Sequence, residues 1–195
     1  MDGFAYFGTE NSPGKVVKIQ LSDFTQAGTL TLASGENTLT AAVIDVDKKF
    51  AYFGTDTRPG RVVQVRLTDL TRIDALTLEQ GENGLAAAVI DANNDVALFA
   101  TDTSPGQVIK VRLSDLSRVD SFATNPYEAA FHSGVIDAAN GYAYFGVNYI
   151  SHIVKVDLGV IDHPNVTPTA QATPSPTATV PVAEGTPLFL PVVQR

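Results

Sequence analysis

The sequence predicts an all-β protein built from tandem units of four antiparallel strands, and three observations predict it. An apolar string recurs at an interval of 46 residues and begins at Ala5, Ala51, Ala97 and Ala143. Short segments between turn signals alternate apolar and polar residues, which is the period of a β-strand. No segment carries a sustained apolar stripe at helical spacing, so helices should be rare.

Other residues keep the same interval of 46 residues. Pro-Gly pairs occur at residues 13–14, 59–60 and 105–106. Two sets of aspartates recur in the same way, and they are Asp23, Asp69 and Asp115, and Asp45, Asp91 and Asp137. Because several markers share one interval, the chain is a tandem array of structural repeats.

One unit shows the order of the strands. The predicted strands are Leu39–Asp45, Phe50–Thr55, Arg61–Leu67 and Arg72–Leu78. Turn-forming Asp, Asn, Pro and Gly residues separate them. Four antiparallel strands in a unit of this length, without a helix, are typical of a β-propeller blade. A β-solenoid is the competing architecture, but its coils are usually shorter and lack such hairpin signals.

One phenylalanine per unit is expected to fill the space between neighbouring blades. These residues are Phe7, Phe53, Phe99 and Phe145. Small residues beside them, such as Ala5 and Gly8, would allow the blades to stack closely.

Strand counting gives about three and a half blades within residues 1–163. Residues 4–32 supply three strands, residues 39–78 and 85–122 supply four each, and residues 131–158 supply three. Closed propellers have about four to eight blades. Three explanations stay open. The chain is the C-terminal part of a longer propeller, it closes as a distorted four-bladed ring, or two copies complete a seven-bladed ring as a homodimer.

Two strings of residues carry a family resemblance. Tyr-Phe-Gly-Thr stands at Tyr6–Thr9 and Tyr52–Thr55, and Val-Val-Lys-Ile follows a Pro-Gly loop at Val16–Ile19. This pattern resembles the tandem propeller repeats of bacterial secreted and surface proteins of the YVTN type, although that family has Tyr-Val-Thr-Asn at the first place. The resemblance spans roughly residues 2–158. It implies a propeller fold and a secreted or cell-surface location in a bacterium.

Composition and charge exclude several classes of function. The chain has 195 residues and a formal net charge of -8, so the basic face that binds nucleic acid is not expected. It contains no cysteine, which excludes disulfides, thiolate metal sites and cysteine nucleophiles. It also lacks the run of about 18 apolar residues that a membrane-spanning helix needs.

The composition changes near His163. Residues 164–187 are rich in Thr and Pro, which predicts an extended, exposed linker. Residues 188–195 form a short apolar segment with a terminal arginine. Two roles stay open for this segment: attachment at the cell surface, or an extra strand that docks on the propeller. We expect that deletion of residues 164–195 leaves the melting temperature nearly unchanged.

Candidate ligand-binding residues lie on loops that meet at one face of a propeller. These loops join the second strand to the third, and each blade to the next. Carboxylates repeated on them can bind a cation or a basic or hydroxylated ligand, although acidic residues in turns also cap backbone N–H groups. The last unit departs from the pattern and adds a tyrosine and a histidine. The candidates are Glu10, Asp56, Asp102, Glu36, Glu82, Glu128, Tyr149 and His152.

The first functional hypothesis is an extracellular or cell-surface repeat scaffold that binds a protein or glycan partner without catalysis. Nearly uniform loops in the first three units favour it, because an active site is usually asymmetric. The alternative is part of a propeller enzyme, such as a quinoprotein-like oxidoreductase, a hydrolase or a lyase, with its active site partly upstream. No catalytic residue, metal site or cofactor is predicted, since the sequence carries none of the familiar phosphate-loop, zinc-protease or nucleophile-elbow motifs.

Overall fold

The computed structural model describes residues 3–124, 129–148 and 152–159, together with the backbone of residues 179–181. These residues form four antiparallel sheets. The first sheet contains β1 (Phe4–Gly8), β2 (Lys15–Gln20) and β3 (Gln26–Thr31). The second sheet contains β4 (Leu39–Asp45), β5 (Phe50–Thr55), β6 (Arg61–Arg66) and β7 (Thr71–Thr77). The third sheet contains β8 (Leu85–Asp91), β9 (Val96–Thr101), β10 (Gln107–Arg112) and β11 (Ser117–Ala123). The fourth sheet contains β12 (Phe131–Asp137), β13 (Tyr142–Val147), β14 (His152–Asp157) and β15 (Thr179–Pro181).

The all-β prediction is confirmed, and in the second unit each predicted strand matches the observed one to within one residue. Within the described ranges, the one helical element is a short 3-10 turn at Ala92–Asn94. No helix in that part of the chain is long and apolar enough to cross a membrane. The count of fourteen strands omitted β15, which lies in the segment expected to be a linker and pairs antiparallel with β14.

The strands of each sheet pair in chain order. In each four-stranded sheet the pairing of the first strand with the second contains a register shift. The register shifts by one residue between Leu39 and Ala41, and again at the two equivalent places in the third and fourth sheets. A β-bulge of this kind bends the strand and increases its twist. The twisted sheets can therefore stack side by side, as blades do.

The main core lies between the sheets, as expected for a propeller. The innermost strands β4, β8 and β12 contact one another in that order. Phe53, Phe99 and Phe145 are buried, each in an apolar cluster that includes residues of the preceding sheet. Truncation of such a buried phenylalanine to alanine costs roughly 3–5 kcal/mol. The packing role predicted for these three residues is therefore confirmed.

Phe7 corrects one expectation. It was expected to fill a space between blades, but its side chain is 53% exposed whereas Phe53 is 1% exposed. The phenylalanine of each unit faces the preceding sheet, and no described residue forms a sheet before the first one. Phe7 consequently lies on an open face.

One turn residue per unit adopts a left-handed backbone conformation just before the second strand. The φ angles are 74° at Gly3, 60° at Lys49, 60° at Asp95 and 76° at Gly141. Glycine carries the smallest penalty in this region, because it has no Cβ to collide with the backbone. The turn geometry is thus part of the repeat, even where the sequence has Lys or Asp.

Candidate ligand-binding rim

Three exposed carboxylates occupy the same repeat position at one end of the first three sheets. Glu10 follows β1, Asp56 follows β5 and Asp102 follows β9, and β1 takes the repeat position of β5 and β9. We call Glu10, Asp56 and Asp102 the acidic rim. Asn148 takes the equivalent place in the fourth sheet, so the negative charge of this row ends there.

Backbone hydrogen bonds fix the loops of the acidic rim to the connectors between sheets. The Asp56 N–H donates to the Thr38 carbonyl over 2.8 Å, and the Thr38 N–H donates to the Asn11 carbonyl over 3.0 Å. The same arrangement recurs one unit later, where the Asp102 N–H donates to the Gly84 carbonyl over 2.6 Å. Each connector residue therefore joins the loop of one sheet to the loop of the next. The spacing between the carboxylates is held by the main chain.

Gly84 lies between two members of the acidic rim. A Cβ at this position would lie 2.9 Å from Asp56 Oδ1 and 3.7 Å from Asp102 Cβ. The φ of Gly84 is 58°, so a side chain there would also be strained. The glycine leaves a notch that the Asp56 carboxylate borders and that Asp102 approaches from the next sheet.

Buried threonine hydroxyls support the same loops from beneath. Thr55 Oγ1 accepts from the Arg61 N–H over 2.9 Å and lies 2.6 Å from Thr57 Oγ1. Thr57 Oγ1 in turn donates to the Pro59 carbonyl over 2.8 Å. The third sheet repeats these bonds, whereas the fourth sheet has Val147 at the threonine position and lacks the hydroxyl. The loss of the Pro-Gly loop in the last unit therefore coincides with the loss of its supporting hydroxyl.

Glu36 and Glu82 lie on the connectors, as the sequence indicated, but their side chains are buried and already paired. Arg72 Nε donates to Glu36 Oε1 over 2.9 Å, and Arg118 Nε donates to Glu82 Oε1 over 3.0 Å. Each carboxylate also accepts a main-chain N–H, which for Glu36 is that of Ala33 at 3.0 Å. These two side chains are therefore held away from the exposed rim. Each links the connector on which it lies to the outermost strand of the sheet that follows, β7 for Glu36 and β11 for Glu82.

The environment of these glutamates keeps them ionised. Burial on its own would raise the pKa of Glu36, because a buried carboxylate loses hydration. The hydrogen bonds from Arg72 and Ala33 outweigh burial, so the pKa lies below its ordinary value. Glu82 shows the same balance, and the bonds from Arg118 lower its pKa. Sequence reasoning missed both arginines, although their own spacing of 46 residues, equal to that of the glutamates, was a signal that could have found them.

The remaining candidates do not join the acidic rim. Glu128 and Tyr149 lie outside the described residues. His152 begins β14, and its buried Nδ1 has no hydrogen-bond partner in the ranges that the structure describes. His132 Nε2 lies 3.0 Å from the Asn148 side-chain amide. Across the described residues, no group of three or more His, Asp or Glu side chains is arranged to hold a metal ion.

Aspartates at the opposite end of the sheets serve the turns. Asp91 accepts from the Asn94 main-chain N–H over 3.3 Å, and it also accepts from the Asn94 side chain over 2.7 Å. Lys48 Nζ lies 2.7 Å from Asp95 Oδ1 and thereby ties the second sheet to the third. This hydrogen bond raises the pKa of Lys48. Residues 91–95 (Asp-Ala-Asn-Asn-Asp) thus form a hydrogen-bonded turn that also supplies the ion pair to the second sheet.

Solved structures match this chain in fold. No protein-family model and no curated protein matches the sequence. The chain is similar to hydrazine synthase of Kuenenia stuttgartiensis, with 12% identity and a TM-score of 0.62 over 81% of this chain and 47% of that one. It is also similar to the WD40 repeats of RRP9 and to U3-55K, each with 9% identity and a TM-score of 0.62 over 79% of this chain. It covers 44% and 45% of those two chains.

These similarities show the fold alone. The four sheets are β-propeller blades, and the chain spans about half the length of the propellers that it matches. The prediction of a β-propeller is therefore confirmed, and membership of the YVTN-type repeats stays a prediction.

Proposed function

We propose that this chain is an extracellular or cell-surface repeat scaffold that binds a protein or glycan partner, without catalysis, through the acidic rim. The observation that carries the proposal is the position of the rim. Three exposed carboxylates occupy one repeat position, and main-chain bonds hold the loops of Asp56 and Asp102 to the connectors between sheets. A surface that is held in place before binding loses less entropy when a partner docks.

The chemistry of the rim favours a basic or hydroxyl-rich partner. Carboxylates accept hydrogen bonds from lysine and arginine side chains and from sugar hydroxyls. The net charge of -8 adds long-range attraction for a cationic partner, which increases the association rate at low salt. A row of similar groups fits a partner that extends across several blades better than it fits one small substrate.

The uniformity of the loops supports a scaffold over the enzyme alternative. Thr55 and Thr101 make equivalent loop bonds, and Glu36 and Glu82 make equivalent ion pairs. Most repeated polar groups therefore have a structural partner. The side chains of the acidic rim are exposed, and Gly84 leaves a notch between two of them.

A charge-matched pair of triple variants tests the proposal. The rim variant is Glu10→Gln, Asp56→Asn and Asp102→Asn. The control variant removes the same charge from the turns between the last two strands of the first three sheets, and it is Asp23→Asn, Asp69→Asn and Asp115→Asn. The probes are a deca-lysine peptide, measured by calorimetry over a salt series, and an array of defined glycans.

We expect the rim variant to lose binding to at least one probe class while the control variant keeps it, with both melting normally. Equal weakening in both variants would mean that net charge alone attracts the peptide. Binding by neither the natural chain nor the variants would remove the rim as a partner site. The proposed location of the chain at the cell surface is checked separately, by antibody labelling of the protein on intact and on lysed cells.

A further inference from the structure

The first sheet exposes a set of large apolar side chains that its counterparts bury. Phe7 is 53% exposed and Phe24 is 77% exposed, and Leu21 is also exposed. The residues 46 positions later include Phe53 and Leu67, which are buried in a cluster containing residues of the preceding sheet. This face of the first sheet therefore has the composition of a surface that contacts a preceding blade.

The fourth sheet exposes the complementary face. Val135 is 47% exposed, whereas its counterpart Val43 is buried in a cluster with residues of the following sheet. The hydroxyl of Tyr52 donates to the Leu113 carbonyl of the following sheet over 3.5 Å. Tyr144 occupies the same position in the fourth sheet and has no acceptor among the described residues. The fourth sheet thus ends with a face that normally contacts a following blade.

The first sheet also has a free strand edge. The strands β5, β9 and β13 each pair with an inner strand as well as with an outer one. Their counterpart β1 pairs only with β2 among the described residues. An unpaired edge with an apolar face is a ready template for another strand.

The pairing of β15 with β14 assigns a repeat position to the residues that follow β15. Pro181 pairs with His152 at the start of β14, just as Ala123 pairs with Gln107 at the start of β10. Pro181 therefore stands at the repeat position of Ala123. In the third unit the next inner strand begins at Phe131, eight residues after Ala123. The same step from Pro181 leads to residue 189.

The residues after Pro181 match the connector and inner strand of a repeat. With this register, Gly185 falls on the position of Gly35, and Val193 falls on the position of Val43. Residues 189–193 read Phe-Leu-Pro-Val-Val, an apolar segment that begins with phenylalanine, as β12 does. Its proline is compatible with an innermost strand, because one edge of that strand faces the channel.

We infer that residues 189–193 of one copy form an innermost strand on β1 of a second copy, and that two copies close a ring of eight blades. The tail follows the fourth sheet, so the repeat places it in the next blade. Phe7 and Val135 are both exposed, so the first and fourth sheets of one chain do not cover each other at these positions. One chain spans 44–47% of the propellers that it matches, so two copies correspond to about one ring.

Two reciprocal contacts would form in this dimer. Each fourth sheet would meet the first sheet of the other copy, so Val135 would lie near Phe7 and Phe24 would be covered. The Tyr144 hydroxyl would reach the Leu21 carbonyl of the other copy, as Tyr52 reaches Leu113 within the chain. The axis of the dimer would be the axis of the propeller, which closes the assembly at two copies.

Disulfide trapping tests the register directly, because the full chain has no cysteine. Val43 pairs with Tyr52 in the second sheet, so Val193 should pair with Tyr6 of the other copy. A nitrogen-15-labelled Tyr6→Cys chain and an unlabelled Val193→Cys chain are unfolded, refolded together and oxidised. The control replaces Val193→Cys by Val192→Cys, because a shift of one residue turns the thiol to the opposite face.

We expect a mixed two-chain disulfide product by mass spectrometry with Val193→Cys and its loss with Val192→Cys. Light scattering of the full chain should give twice the chain mass of 20.6 kDa. The substitution Phe7→Glu should give monomers, while Val46→Glu, at an exposed turn residue, should not. A monomeric natural chain would overturn the inference. Equal trapping by the two thiols would also overturn it, as would a disulfide within one chain of the Tyr6→Cys/Val193→Cys double variant.

Discussion

Glu36 makes the free energy of unfolding depend on pH. Replacement of Arg72 by methionine should reverse the direction of that dependence. The Glu36 side chain is 1% exposed and accepts two kinds of hydrogen bond, from Arg72 and from the Ala33 main chain. Methionine keeps an unbranched chain of similar length but removes the charge and the donors. The carboxylate would then be buried with one main-chain donor.

The size of the effect follows from the burial of the pair. Removal of one partner from a buried ion pair costs about 3–5 kcal/mol. The Arg72 side chain is 31% exposed, so water can replace part of its contribution, and we expect a loss of about 3 kcal/mol at pH 7. For a domain of this size, that loss corresponds to a decrease in melting temperature of roughly 6–12 °C.

The sign of the pH dependence distinguishes this account from simple loss of packing. In the natural chain the folded pKa of Glu36 is lowered, so its stabilisation is present above the unfolded pKa and is lost as pH falls through the folded pKa. Without Arg72, burial should raise the folded pKa of Glu36 above the unfolded one. The stabilisation that protonated Glu36 provides would then be lost as pH rises through that raised value.

Urea unfolding, followed by circular dichroism between pH 4 and pH 7, provides the assay. The stability deficit of Arg72→Met should shrink on acidification, and Glu36→Gln combined with Arg72→Met should recover most of the loss at pH 7. Arg66→Met is the control, because Arg66 and Asp69 form an exposed pair that contributes little. A deficit that is the same at every pH would refute the reasoning.

Three further substitutions test the packing of the repeat, each by urea unfolding. Gly54→Ala should lose roughly 1–3 kcal/mol, because its Cβ would lie 2.8 Å from the Leu85 Cβ, and neither backbone can shift freely. Gly141→Ala should lose about 1 kcal/mol from its φ of 76° alone, since no atom lies within 4 Å of the new Cβ; an unchanged midpoint would contradict the backbone argument. Thr55→Val should lose roughly 1–3 kcal/mol, because the Arg61 N–H loses its acceptor, and a neutral result would show that this N–H finds another one.

Local sequence patterns predicted most of the fold, because each unit repeats the same strand and turn signals. Alternating residues, turn-forming pairs and the recurrent phenylalanine each depend on neighbours within a few positions, so the strands of the second unit were placed almost correctly. The exposure of Phe7 could not be read in this way, because burial of that residue depends on a preceding sheet and not on its own sequence. The sequence pattern at Phe7 and Phe53 is the same, whereas their surroundings differ.

The positions of the candidate residues were predicted in part, whereas their role in binding a ligand stays a prediction. Asp56 and Asp102 are exposed on their loops, as the sequence indicated, but the notch between them at Gly84 had no signal in the sequence reasoning. Glu36 carried the same signal of an acidic residue in a turn, but its side chain turns inward to an arginine 36 residues away. Pairing over such a distance has no local signature, and only the shared spacing of both partners reveals it.

The short strand β15 changes the expectation for the tail. Deletion of residues 164–195 was expected to leave stability unchanged, because a Thr/Pro-rich segment has little to bury. Backbone pairing of β15 with β14 places little demand on side-chain type, so composition alone could not reveal it. Its loss would leave β14 as an unpaired edge, so the deletion should lower the melting temperature.

If residues 189–193 complete β1 of a second copy, the melting temperature of the natural chain depends on protein concentration, since folding and association are then linked. A chain that ends at residue 181 would keep β15 but lose that dependence, which separates the pairing of the fourth sheet from the closure of the ring.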